Sequence, residues 1–210
     1  MSILRAAALF LLCATVTSAG FADQRKLVIL HTNDFHGRIS QENEYAGAAR
    51  ITSFVKQTRK EHPGVLVLDA GDSISGTPVS TMFKGLPIFE VLNKVGYDAA
   101  AIGNHEFDHG YQQFLEFKEI ANHPLLSANA FAPDGSLLAD APALIKTING
   151  IKIGIIGLIT EHTPNMITPS GNEGISFSPA DEMLKAMVTA LLTIQNNPKR
   201  NKHEKTNLTN

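Results

Sequence analysis

The stretch VLVLDAGD, residues 65–72, constrains the fold more than any other in this chain. Its apolar residues run on without alternation, as they do in strands buried on both faces. Such strands lie inside parallel sheets, so the flanking sequence has to supply covering helices. It does. KLVILHT (26–32) reads as a first strand and YDAAAIGN (97–104) as a third, with helix-period segments between them. The first of these, within 45–64, repeats Ile51, Phe54 and Val55 on an apolar face and stops at Pro63-Gly64. The second spans 86–96 and closes on a glycine. A third helix is predicted over 111–122, with Phe114, Leu115 and Phe117 for packing. The alternation argues for an α/β layered domain.

Beyond residue 123 the pattern changes. PLLSANAF (124–131) reads as a short strand, and 143–160 as a hairpin turning at Asn149-Gly150, a type I′ signal. A helix is predicted over 178–195 from its Ser-Pro start. Residues 196–210 are polar, charged and without apolar period, the composition of a disordered tail. At the other end, Arg5 precedes an apolar run from Ala6 to Val16 and then small residues, the layout of a secretory signal peptide over 1–22. The run is too short for stable membrane insertion. The domain expected is therefore 23–195, exported to the periplasm or outside the cell. Removing 1–22 removes the only cysteine and leaves 17 basic against 20 acidic residues, so no disulfide framework is expected. The near-neutral charge gives no electrostatic basis for binding nucleic acid.

Each of the three strands ends in a polar cluster. The first delivers Asp34 and His36 in NDFHG, the second Asp72 in AGDS, the third Asn104 and His105 in GNHE. In open α/β sheets ligands collect at these carboxyl ends. Carboxylate, imidazole and amide oxygen form a mixed donor set that suits Zn, Mn, Fe or Co, and two ions better than one. Asp72, between the others, can bridge ions roughly 3.5–4 Å apart, which acidify a shared water and clamp an in-line phosphoryl displacement. His105 need not bind metal. Facing the substrate, it can hold a phosphoryl oxygen and protonate the leaving alkoxide. Asp108, three residues on, is placed to fix its tautomer. Glu106 reads equally well as an orienting or a structural group. His31 reads as a strand-end residue bonded to backbone, His62 as solvated, and His109 and His123 as surface residues.

These segments carry a family resemblance. ILHTNDFHGRI, LDAGDSISGTPVSTMFKG, NKVGYDAAAIGNHEFDHG, LLSANAF and GIKIGIIGLIT resemble the N-terminal domain of the 5′-nucleotidase family. That family includes periplasmic UDP-sugar hydrolases and belongs to the calcineurin-like metallophosphoesterases. The similarity runs from about Lys26 to about Thr163. It implies a four-layer α/β/β/α sandwich with two divalent metal ions, hydrolysing phosphate esters of small nucleotides with an activated water. It also implies that Asp34 and His36 serve one metal, Asp72 bridges, and Asn104 serves the second, with His105 and Asp108 as the catalytic pair.

The family pattern continues with further metal ligands, in a strand ending in His and a Gly-His-x-His-like or Gly-His-x-Gln-like motif, and with a nucleoside-binding C-terminal domain. None of these occurs in the 210 residues, and His162 and His203 stand in other contexts. The expectation is a sandwich incomplete at its C-terminal side, with weak metal binding, an exposed sheet edge and weak or no turnover. Two alternatives stand beside it. One is a non-catalytic exported fragment. The other is a GDS-type serine esterase with Ser73 as nucleophile, although no Asp-x-x-His-Pro or Gly-x-Asn-Asp segment follows to complete it.

Overall fold

A computed structural model describes residues 24–196; the predicted signal peptide and nearly all of the predicted tail lie outside them. Four strands form a parallel sheet in the order β1 (Val28–Thr32), β2 (Val65–Asp69), β3 (Ala99–Ala101) and β4 (Leu125–Leu126). The unbroken apolar run behaves as its composition requires, since β2 is interior and four of its five residues are buried. β1 forms an edge and alternates between half-buried and exposed residues.

Helix α1 (Gly47–Glu61) makes the crossover from β1 to β2. It buries Ala48, Val55 and Thr58, and Arg59 and Lys60 in its last turn complement the helix dipole. Phe54 departs from the predicted apolar face and is 63% exposed. One residue is about 100° of helix rotation, and Phe54 falls just off the stripe that Ile51, Val55 and Thr58 present to the sheet. Short helices α2 (Pro78–Met82), which the sequence reading missed, and α3 (Leu86–Leu92) follow β2. Helix α4 (Tyr111–Ile120) buries Phe114 and Phe117 completely, and Phe117 stacks on Phe89 of α3 with ring centroids 4.5 Å apart. Leu115 is the exception to the predicted packing set, for the same angular reason as Phe54. The core joins Val55, Val67, Ile88, Phe89, Phe114 and Phe117 into one cluster.

Four further expectations need correction. The third strand is three residues long, because its ends make other bonds. The Asp98 carboxylate accepts the Val67 N–H at 2.8 Å, and Asn104 begins a 3₁₀ turn over His105–Phe107. The predicted strand 124–131 splits into β4 and β5 (Ala130–Phe131), which belong to different sheets. Between them the buried Asn129 side chain donates to the Ile159 and Ser178 carbonyls and accepts from the Ile159 N–H, bending the chain. His123 is 5% exposed rather than a surface residue, beside the Tyr97 ring, and burial lowers its pKa. His62 is half-buried, not solvated.

The hairpin β6 (Ala143–Ile148) and β7 (Ile151–Ile156) has the predicted turn, with φ of 49° at Asn149 and 72° at Gly150. Positive φ at both central residues is the type I′ requirement that Asn-Gly satisfies. Ile155 and Ile156 face Leu68, Ala99 and Ala101 of the parallel sheet across a cavity of about 230 Å³. Lys146 pairs with Asp98, tying hairpin to sheet. β8 (Ser176–Phe177) pairs antiparallel with β5, and α5 (Ala180–Asn196) sets Leu191 against Gly154 of β7. The fold is mixed α/β on a parallel sheet.

Candidate active site

The loop after β1 continues to bond to the loop after β2 once both strands have ended. Asp34 N–H donates to the Gly71 carbonyl (3.1 Å), His36 N–H to that of Asp72 (3.1 Å) and Gly37 N–H to that of Ser73 (2.9 Å). The two loops thus run as one ribbon, which carries Asp34, His36 and Asp72 to one edge of the sheet. All three residues adopt left-handed backbone, with φ of 51°, 49° and 56°. Non-glycine residues hold that conformation at a cost, and such residues concentrate at functional sites.

The loop after β3 closes on the other side. A Cβ on Gly103 would lie 2.2 Å from Asp72 Oδ1 and 2.4 Å from Asp72 N, and one on Gly71 would lie 2.5 Å from Gly103 N. Only glycine permits this approach of backbone to backbone. The buried Glu106 locks it. Glu106 Oε2 accepts the N–H of Asp72 (3.0 Å) and of Gly103 (2.7 Å), and Oε1 accepts that of Ser73 (2.8 Å). Burial, then the Asp72 charge, pushes the Glu106 pKa up to about 7 against the pull of those N–H groups.

His105 donates its backbone N–H to Asp72 Oδ1 (3.0 Å), and its Nδ1 lies 2.8 Å from Asp108 Oδ2. The predicted pair is in contact. Burial lowers the His105 pKa, but the hydrogen bond and charge of Asp108, with Asp72 and Glu106 behind it, outweigh burial and raise it. The His105 ring meets the His36 ring edge-on at 4.8 Å. Asn104 is 7% exposed at the start of the 3₁₀ turn. Asp34 is the most open member, its side chain 56% exposed, with Oδ1 3.6 Å from His36 Nε2.

Among the described residues no three His, Cys, Asp or Glu side chains form a ready metal-holding group. The donor chemistry nonetheless fits divalent ions. Two ligands of one ion, each about 2.0–2.2 Å from it, stand roughly 3.0–3.6 Å apart, as Asp34 and His36 do. Asp72 Oδ1 is packed against Gly103 and accepts the His105 N–H, which fixes how this carboxylate is presented.

Ser73 is 4% exposed and donates its hydroxyl to Asp69 Oδ2 (2.8 Å), so it sits as a structural hydroxyl rather than an accessible nucleophile. His31 is exposed at the end of β1. Two groups escaped the sequence reading. Asp69, 4% exposed, ties Thr32 of β1 to Ser73 after β2, and its pKa is raised by burial. Ser75 reaches Asp108. For Asp69 a signal existed: a carboxylate inside an apolar run needs buried partners.

The relatives agree with this architecture. The chain is 40% identical over 187 residues to a 5′-nucleotidase of Vibrio cholerae, a match covering 85% of this chain and 34% of that protein. It is 39% identical over 173 residues to a snake venom 5′-nucleotidase of Gloydius brevicauda, covering 75% and 29%. Among solved structures, the NAD nucleotidase of Haemophilus influenzae superposes with a TM-score of 0.72 at 32% identity, over 80% of this chain and 32% of that one. A 5′-nucleotidase precursor from Thermus thermophilus gives 0.69 at 30% identity, over 80% and 34%. The chain thus spans about a third of the length of these proteins. The family model for calcineurin-like phosphoesterases matches residues 27–196, and the chain belongs to that family.

Proposed function

We propose that this chain carries the metal-binding core of a phosphoesterase of the 5′-nucleotidase type, acting on phosphate esters of small nucleotides. The observation that carries the reading is the cross-bonding of three strand-end loops around Asp34, His36, Asp72, Asn104 and His105. Asp34 and His36 would hold one divalent ion, Asp72 would be shared, and Asn104 would serve a second. Bound there, such ions supply positive charge to a phosphoryl group and acidify water.

The chain's own groups do the rest. His105, half-buried beside the donors, holds a proton for the leaving alkoxide, and its raised pKa favours the protonated form. Asp108 keeps Nδ1 occupied, so Nε2 is the nitrogen free to face substrate. Glu106 touches no reacting atom in this scheme and orients Asp72 through the backbone. The N-terminal signal-peptide pattern supports export, and among the described residues no helix is long and apolar enough to cross a membrane.

Purified protein supplied with Mn, Co or Zn, assayed against bis-p-nitrophenyl phosphate and AMP, tests the reading. Nitrophenol release from the diester or phosphate release from AMP that disappears in Asp72→Ala supports it; release equal in both proteins defeats it.

A further inference from the structure

We propose that Ser75 is a positioning residue for the His105–Asp108 pair. The proposal rests on the reading above for its chemistry, but its geometry stands independently. Ser75 Oγ donates to Asp108 Oδ2, the same oxygen that lies 2.8 Å from His105 Nδ1. One carboxylate oxygen therefore collects a hydroxyl from the loop after β2 and an imidazole from the turn after β3. Two donors converging from different loops define the carboxylate plane and, through it, the imidazole plane.

The backbone at Ser75 is built for this contact. Its φ of 69° is left-handed, a conformation that serine adopts at a cost and glycine adopts freely. The position is held from below, where the Ser75 N–H donates at 2.7 Å to Oγ of Ser80, a fully buried residue in α2. On one side His36 Nδ1 lies 3.3 Å from the Ile74 carbonyl. On the other, a Cβ at Gly76 would lie 2.9 Å from His36 Cβ. The strained residue thus sits in a loop already fixed at both ends, and its side chain spends that strain on Asp108. Glycine would suit the backbone better, so the hydroxyl is what serine contributes here.

That contrast makes the test. Ser75→Gly relieves the left-handed backbone and removes the whole hydroxymethyl side chain; Ser75→Ala deletes the hydroxyl alone and keeps the strain. ¹⁵N-labelled parent and Ser75→Gly protein would be compared by the ring nitrogen shifts of His105, alongside steady-state kinetics with Mn on bis-p-nitrophenyl phosphate. The expected result is a fixed Nδ1–H in the parent that becomes averaged or exchanges faster in Ser75→Gly. With it, kcat falls roughly ten-fold while KM and Mn content hold, in both variants. A merely structural serine would leave Ser75→Gly with the parent ring pattern, and that result overturns the proposal. So does a rise in KM at constant kcat, which would mean that Ser75 contacts substrate. If the parent turns over nothing with any metal, the phosphoesterase reading of this chain fails, and the ring pattern alone decides Ser75.

Discussion

The two halves of the site are built differently. The loops after β2 and β3 are joined by a buried carboxylate, a glycine–glycine approach and a backbone-to-Asp72 bond, leaving Asn104 only 7% exposed. The loop after β1 reaches them through three backbone bonds and then releases Asp34 into solvent at 56% side-chain exposure. One half is organised before any ligand arrives, while the other holds its backbone in place and leaves a carboxylate open to solvent, bonded by the neighbouring Asn33 amide. A carboxylate kept in water needs no buried partner in the metal-free fold, and it sheds its hydration only when an ion binds. Stability should therefore reside in the β2–β3 half, and ligand affinity should depend on both.

Glu106→Ala attacks the closed half most directly. The buried N–H of Ser73 and the part-buried N–H groups of Asp72 and Gly103 lose their acceptor, at about 1–3 kcal/mol for the first and less for the others, so urea denaturation should show a loss of roughly 2 kcal/mol or more. A loss below about 1 kcal/mol would show that the halves differ less than their bonding implies. Gly103→Ala comes next. Its Cβ would overlap Asp72 backbone and carboxylate, and overpacking of this kind costs roughly 1–3 kcal/mol. Calorimetric titration with Mn should show weakened binding in the same variant, and unaltered binding would contradict the role given to that contact.

The pH response has a definite sign. The Glu106 pKa is raised in the fold, from 4.5 to about 7, so between those values the folded state binds more protons than the unfolded. The Glu106 contribution to stability of the metal-free protein then falls as pH rises through that window. The raised pKa of His105 acts in the same direction. Melting temperatures measured across pH 4.5 to 7 should fall more steeply, or rise less, in the parent than in Glu106→Gln, in which the Asp69 and His123 contributions persist; equal slopes would refute the assignment. The smallest effect on the fold belongs to the open half. Asp34→Asn should change stability by no more than about 0.5 kcal/mol, yet weaken Mn binding roughly ten-fold or more. A large stability loss instead would make Asp34 part of the frame.

What could be read from the sequence divides along the same physical line. The hairpin was legible because Asn149-Gly150 states its own turn, and β2 because an unbroken apolar run has one comfortable environment. The clusters at 34–36, 72 and 104–105 were legible as strand ends, and the fold does bring them to one edge. Relations between loops were not legible. Nothing local to Glu106 says that its carboxylate gathers N–H groups from two loops, and nothing local to Ser75 aims it at Asp108. His123 and Phe54 were misplaced for a related reason. Burial depends on which neighbour covers a residue, and a shift of one position around a helix exchanges core for solvent. The third strand came out short because Asp98 supplied a side-chain acceptor where a ladder was expected.

Anomalous diffraction from crystals grown with manganese tests the central claim most directly. The account predicts density at the ends of β1, β2 and β3, about 2.0–2.4 Å from oxygens or nitrogens of Asp34, His36, Asp72 and Asn104. Crystals that hold manganese elsewhere, with those four side chains turned away from one another and no anomalous signal between them, would contradict it.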